Sequence, residues 1–340
     1  PRTLALAAAV PALHRRLRAL RPSAVVSMGN HAHLAVWAAL RGLPDIPRIS
    51  RISNDPAHRG GERIGLGLRQ AGLRLIASDA SRLVCVSGAL AQQDAFRRAR
   101  RDRRLDVLPN GVCPVAVRAR AAVRIDGPWL RDGRPFIVAV GRVHPQKNYG
   151  ALIEALALAR ASGRPDLRLL ILGAAPARRR APLEPRARAL GVAEAVRFAG
   201  EVANPFPYVR AAAAYVLPSL WEGASNSLLE ALACGAPVVA ARQAGNAPQV
   251  LAEGRHGRLA DARDPADLAR AILAQITPAA CVLPGDRVAA FSLDRVAARL
   301  CAIVDGVAAE HDEIQTPLEH PGHLSPVSSA AEGGFNGAMT

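Results

Sequence analysis

Lysine is all but missing from this 340-residue chain: of its 44 basic residues 43 are Arg and one, Lys147, is Lys. Aromatic residues are scarce too, at 4%, and none builds the aromatic strand of an RNA-recognition sheet. With no zinc-finger spacing of Cys and His either, the sequence speaks against a nucleic-acid partner. The five cysteines (Cys85, Cys113, Cys234, Cys281, Cys301) are odd in number, scattered and never arranged as CxxC. That excludes a disulfide framework and predicts reduced, mostly buried thiols in a cytosolic protein. No run approaches the ~18 apolar residues of a membrane-spanning helix, and "LALAAAV" (Leu4–Val10) is too short for a signal peptide. His, Cys, Asp and Glu nowhere cluster with metal-ligand spacing, so no metal site is expected.

What is present suits a soluble α/β protein rich in Ala, Arg, Leu and Val, long enough for two domains that each bury a core. The net charge of +16 is uneven: residues 1–125 hold 22 Arg against 7 acids, whereas residues 126–340 hold 22 basic against 21 acidic side chains. A field of that sign draws phosphorylated substrates or an anionic membrane surface to the first half; it also fits a merely solvated Arg-rich face.

Along the chain, "VPALHRRLRALRP" reads as an amphipathic helix, and then short apolar strands alternate with helices: a strand at Ala24–Gly29, a helix at His31–Leu40, a strand at Pro47–Ser53, a helix at Gly67–Ser78, a strand at Arg82–Ser87, a helix at Gly88–Arg98, and "RLDVLPNGV". This alternation predicts a parallel sheet over residues 1–115. Pro, Gly, Asp and Arg then place a linker at 116–134. A second alternating series fills 135–308: strands at Phe136–Gly141, Leu167–Gly173, "AVRFAG", "AYVLP" and "PVVAA", with helices at Tyr149–Ala161, Ala181–Leu190, Pro207–Ala213, Asn226–Cys234, Pro265–Gln275 and Leu293–Val307. Residues 309–340 are rich in Pro, Gly, Ser and Glu and read as a disordered tail.

Two parallel-sheet domains leave a crevice at the carboxyl ends of their strands, where such sheets bind ligands. In "VAVGRVHPQKNYGALIEAL" the strand ends at Gly141, Arg142 follows, and Lys147 stands just before a helix whose N-terminus favours an anion. Arg142 also fits an ordinary surface arginine. The stretch "PSLWEGASNSLLEALACGAPVV" repeats the geometry. Glu222 and Gly223 lie in its loop, the amides of Ala224, Ser225 and Asn226 lead into a helix, and Glu230 lies roughly two turns on, so that two carboxylates could grip points ~10 Å apart on one ligand. Glu222 would accept hydrogen bonds from vicinal hydroxyls. The competing reading is that "SLLE" (Ser227–Glu230) is only a capping box.

These stretches, with "GRVHPQKNYGALIEAL", "NPFPYVRAAAAYVLPSLWEGASNSLLEALACGAPVV", "VLPNGV" and "FSLDRVAARLCAIV", resemble the retaining GT-B glycosyltransferases of family 4 (group 1) along nearly all of residues 20–307, most closely those that build lipid-linked and envelope glycans. The resemblance implies two Rossmann-like domains facing a cleft. It also implies transfer of a hexose or N-acetylhexosamine from a UDP- or GDP-sugar, with retention and without a metal, to a glycan or polyprenyl-linked acceptor; it implies no cofactor either, only the nucleotide sugar as substrate. Glu222 would hold the donor sugar, Glu230 the ribose, and Arg142 and Lys147 the diphosphate. His31 in "SMGNHAH" would lie near the reacting sugar, although it also fits a plain helix-start residue. Asn30, Arg51 and Asn54 would face the acceptor, and Asn110 would make the turn into the linker. The basic first domain would sit on the inner face of the cell membrane.

The chain departs from the family pattern in three places. The first strand and Gly-rich loop are not seen before "RLRALRPSAVVS", so the first domain reads as truncated; Ala224 and Ser225 replace an aromatic and a Pro or Gly; and "GNAPQ" carries Gln249 where an acid is usual. Two alternatives follow: a non-catalytic nucleotide-binding remnant, or a nucleotide-sugar epimerase. A phosphorylase dependent on pyridoxal phosphate is disfavoured, because the one lysine is already committed to the phosphate loop.

Overall fold

Apolar runs such as "FIVAV" and "RLLIL" are stable as strands only where helices cover both faces of a sheet, which is the situation of a parallel sheet. The computed structural model of the chain, which describes residues 2–43, 46–54, 63–125, 129 and 132–315, contains two such sheets. The first consists of β1 (Val25–Ser27), β2 (Arg48–Ile52), β3 (Arg82–Cys85) and β4 (Leu105–Val107), all parallel and in that spatial order. The second consists of β5 (Phe136–Val140), β6 (Arg168–Leu172), β7 (Val196–Gly200), β8 (Ala214–Leu217), β9 (Val238–Ala241) and β10 (Arg258–Ala260), again parallel, in the order β10-β9-β8-β5-β6-β7. The order reverses between β5 and β8, so the loops leaving these two strands diverge and open a crevice.

The second domain is the better packed. Leu228, Leu229 and Leu232 cover one face of its sheet, and Leu152, Ile153, Leu156, Leu268 and Ile272 cover the other, all essentially buried.

The structure changes the sequence reading in several places. The first helix runs from Arg2 to Leu20, through Pro11, because "LALAAAV" has high helix propensity and a proline removes only one helical hydrogen bond. The single helix expected over Gly88–Arg98 is broken into Gly88–Ala91, a 3₁₀ turn at Asp94–Phe96 and Arg97–Arg101, a course that buries Phe96 completely. The stretch expected as linker, 116–134, begins inside a helix (Pro114–Ala121) whose Val117 and Ala121 join the second core. Besides the helix Pro114–Ala121, the elements not anticipated include the short helices Ala177–Arg180 and Ala247–Val250 and the three-residue β10. Only Cys85 is buried; Cys234 and Cys281 are half-buried, and Cys113 and Cys301 are exposed, so the expectation of mostly buried thiols fails.

The closing helix also differs. It spans Leu293–Gln315, so residues 309–315 are helical rather than part of a tail, and residues 316–340 lie outside the described residues. Its apolar stripe of Val296, Leu300, Ile303, Val304 and Val307 packs on Ile49 and Val84 of the first sheet and on Leu108 just past β4, so this helix belongs to the first domain's core. The chain therefore crosses between domains twice. The crossings are tied together where Val112 N–H donates to Phe291 O (3.0 Å) and Leu293 N–H to Val112 O (2.8 Å).

Candidate active site

At the end of β5, Gly141 adopts φ +152°, and the space a Cβ would fill is taken by the Lys147 stem, whose Cε lies 2.8 Å from that position. Tyr149 holds the same turn by donating its hydroxyl to Gly141 O at 3.0 Å. Lys147 closes a 3₁₀ turn (Pro145–Lys147), and Asn148, in the left-handed region at φ 53°, starts the helix Tyr149–Ala161. The lysine thus stands at a helix mouth, as expected, but it is not unpaired: its Nζ lies 2.6 Å from Glu222 Oε1. Arg142 is exposed just past the strand end.

Glu222 arrives from the loop after β8, across the crevice. Besides Lys147, it accepts from Ser219 Oγ (2.9 Å, on Oε1) and from Gln146 Nε2 (3.2 Å, on Oε2). Gln146 knits the two loops further by donating to Trp221 O at 2.8 Å and accepting from Leu220 N–H at 2.9 Å. In the sequence Gln146 and Ser219 carry no signal beyond standing next to Lys147 and three residues before Glu222. His144 was also missed. Its pKa is lowered first by burial and then by the positive charges of Arg179, Arg142 and Lys147, which marks this strand end as a region of positive potential.

The helix Asn226–Ala233 begins one residue after Ser225, which is its N-cap and makes no side-chain cap. Ser227 is already inside the helix, its hydroxyl shared with Tyr215 OH (2.7 Å) and Ser225 Oγ (3.1 Å). The capping-box reading of Ser227–Glu230 is therefore not realised. Gly223 is buried, and what approaches it closely is the first domain: an added Cβ would lie 2.5 Å from Ser53 O and 2.7 Å from Asn54 Cα. Ala224 packs against the apolar cluster of that same domain. Gly245 supports the loop from behind, with Glu222 O and Gly223 O each 2.6 Å from its own added Cβ.

Glu230 is half-buried and lines a cavity of about 230 Å³ together with Gly111, Cys113, Arg120, Phe206 and Asn226. Burial raises its pKa against the opposing pull of Arg120. The Arg120 guanidinium stacks 4.6 Å over the Phe206 ring and donates to Ala203 O at 3.1 Å, which fixes the wall of that cavity. Arg120 is another residue the sequence did not mark.

On the first domain, Asn30 clamps the end of β2: its Nδ2 donates to Asn54 O (2.9 Å), and its Oδ1 accepts from Ser53 N–H (2.9 Å) and Ser53 Oγ (3.2 Å). Arg51, only 9% exposed, donates to Asn110 Oδ1 at 2.8 Å, and Asn110 donates onward to Asn226 Oδ1 at 2.6 Å. Asn110 thus bridges the domains; residues 108–111 carry no turn, against the expectation. Arg51, Ser53, Asn110 and Asn226 line a second cavity of about 510 Å³, between the domains, together with Leu293, Val296 and Leu300. His31 is exposed, whereas His33 is buried, with Nδ1 2.7 Å from Ser27 Oγ, and burial holds its pKa down at about 4. Among the described residues no group of three or more His, Cys, Asp and Glu side chains is arranged to hold a metal, and no helix is long and apolar enough to cross a membrane.

Residues 134–277 match the family model described as glycosyl transferases group 1. The chain is 33% identical over 272 residues to a D-inositol 3-phosphate glycosyltransferase of Geodermatophilus obscurus, covering 74% of this chain and 58% of that protein. It is 32% identical over 257 residues to the GDP-mannose-dependent alpha-(1-6)-phosphatidylinositol monomannoside mannosyltransferase of Mycolicibacterium smegmatis, covering 70% of this chain and 65% of that one. The chain thus spans less than two thirds of either relative's length. Among solved structures it is similar to Anabaena HepE in complex with UDP and glucose, with a TM-score of 0.72 and 20% identity over 88% of this chain and 81% of that one. At that identity the likeness speaks to the fold, which is GT-B.

Proposed function

We propose that this chain, whose residues 134–277 match the family model described as glycosyl transferases group 1, transfers a sugar from a nucleotide-diphosphate sugar to a glycan or lipid-linked acceptor, with retention of the anomeric configuration. The observation that carries the reading is the 2.6 Å pair between Lys147, after β5, and Glu222, after β8, at the point where the strand order reverses. Glu222 is a carboxylate with a cation on one oxygen and neutral donors around it, which suits recognition of sugar hydroxyls. Lys147 and Arg142 suit a diphosphate.

On donor entry Lys147 exchanges the Glu222 carboxylate for a phosphate oxygen, and Glu222 turns to the sugar. As the glycosidic bond breaks, negative charge grows on the leaving diphosphate, where Lys147, Arg142 and the N-terminus of the Asn226–Ala233 helix stabilise it. Glu230, in its half-buried cavity, accepts the ribose hydroxyls. The acceptor hydroxyl comes from the first-domain side, past Asn30, Arg51, Asn54 and His31, on the face the diphosphate leaves, and gives its proton to a diphosphate oxygen.

The M. smegmatis relative acts on a phosphatidylinositol mannoside by name, which favours a lipid-linked acceptor here. Exposed Arg15, Arg16 and Arg18 on the first helix, beside Leu20 at 61% exposure, suit an anionic membrane surface on the cytoplasmic side.

The test is incubation of the purified chain with UDP- and GDP-sugars and polyprenyl-phosphate-linked or free glycan acceptors, with the product's anomeric configuration read by NMR. Retained-configuration product is expected. Failure to bind any of these donors in calorimetry, together with no transfer, overturns the proposal, and donor turnover to an epimer without acceptor would replace it with an epimerase.

A further inference from the structure

Asn110 joins two residues from different domains. Its Oδ1 accepts from the Arg51 guanidinium (2.8 Å), and its Nδ2 donates to Asn226 Oδ1 (2.6 Å) and, at 3.5 Å, to Ala224 O. Arginine has no acceptor, so the carboxamide of Asn110 can face Arg51 only with its oxygen. Its nitrogen must then face Asn226, and Asn226 must answer with its own oxygen. The polarity of the whole chain is thereby dictated from Arg51, and it ends with the Asn226 Nδ2 group as an N–H donor. Asn226 is exposed, is the first residue of the helix that carries Glu230, and lines both the Glu230 cavity and the interdomain cavity. A ligand passing between the two therefore meets an N–H pair at their junction.

We propose that Asn110 is a positioning residue: when the domains are together it orients the Asn226 carboxamide so that Nδ2 donates to an oxygen of the bound donor, a phosphate or hydroxyl oxygen, at the junction of the two cavities. The proposal rests on the glycosyltransferase reading for its ligand, although the bridge itself does not depend on it. Arg51, desolvated and nearly buried, supplies the direction. The arrangement couples the acceptor-side strand β2 to the donor-side helix, and couplings between two ligand sites are typically worth roughly 5- to 150-fold in affinity.

Two variants separate orientation from simple structural support. Asn110→Leu removes both hydrogen bonds. Asn110→Asp keeps the shape and still accepts from Arg51, but it offers no N–H, so Asn226 must turn its nitrogen inward and present oxygen to the ligand instead. Hydrogen–deuterium exchange of residues 224–229 in the free protein reads the bridge, and kcat and donor KM for sugar transfer read the orientation. Asn110→Leu is expected to lose protection of that segment and to lower kcat about 10-fold or more. Asn110→Asp is expected to keep the protection yet lower kcat by a similar factor. Wild-type kcat in Asn110→Asp overturns the orientation claim, and unchanged protection in Asn110→Leu overturns the bridge. A wild-type chain that neither binds nor turns over a nucleotide sugar overturns the functional reading and the Asn226 role with it, while the exchange data still decide whether Asn110 links the domains.

Discussion

A methyl group at Gly223 tests how the donor loop meets the first domain. In Gly223→Ala the new Cβ would lie 2.5 Å from Ser53 O and 2.7 Å from Asn54 Cα, where ordinary contact begins at 3.4 Å. Both obstacles are backbone held by the Asn30 clamp, so neither can swing away as a flexible side chain would. Relief requires the loop and the end of β2 to separate by about 0.9 Å, and overpacking of this size costs roughly 1–3 kcal/mol. Because the clash lies between domains, the cost falls on their closure and leaves each core intact. At 1.36 kcal/mol per factor of ten, kcat/KM for sugar transfer should fall by about 5- to 150-fold, while the melting temperature stays within about 2 °C of wild type. The control is Gly245→Ala, which presses the same loop from inside the second domain, against Glu222 O and Gly223 O at 2.6 Å and with φ at +58°. It should lower both activity and melting temperature. Wild-type kcat/KM in Gly223→Ala, or a melting loss as large as that of Gly245→Ala, refutes the reasoning.

Lys147→Ala should weaken calorimetric binding of UDP or GDP and reduce kcat/KM by about 10²-fold or more; Lys147→Arg should not restore activity, since the lysine stem lies against the space left by the missing Cβ of Gly141. Burial raises the Glu230 pKa from 4.5, so nucleotide affinity should decline as pH falls through that raised value and Glu230 becomes protonated, and in Glu230→Gln the pH dependence in that window should vanish. His33 is neutral in the folded protein down to about pH 4 and takes its proton near 6.5 when unfolded. Stability should therefore be complete above about 6.5 and decline as pH drops towards 4, by about 3 kcal/mol in all; urea unfolding of wild type and His33→Gln across pH 4–7 measures it, and equal slopes would remove His33 as the cause.

Much of the site was legible because its chemistry is local. Glu222, Gly223 and Glu230 announce themselves by spacing on a loop and the helix after it, and Lys147 by being the one lysine. The competing capping box was equally legible and equally local, and only the position of the helix start, at Asn226, decided against it. Gln146, Ser219 and Arg120 carry no pattern of their own, and the "VLPNGV" stretch marks Asn110 without revealing its partner. Gln146, Arg120 and Asn110 matter through partners 76, 83 and 116 residues away respectively, and where a partner lies that far along the chain no periodicity records it; Ser219 acts within its own loop, on Glu222 three residues on. The same holds for Gly223, whose freedom from a side chain pointed to a ligand but serves the close approach of another backbone.

What the amino-acid order determined alone is the alternation of strand and helix, the two parallel sheets and the side chains able to bind an anion and hydroxyls, because burial repeats every two or 3.6 residues and each element encodes its own. The tertiary structure decided the rest: that β5 lies beside β8 and so brings Lys147 to Glu222, that the closing helix returns to the first core, and that Arg51, Asn110 and Asn226 form one chain. Those pairings depend on the order in which strands lie side by side, a property of the whole packed assembly that no single segment carries.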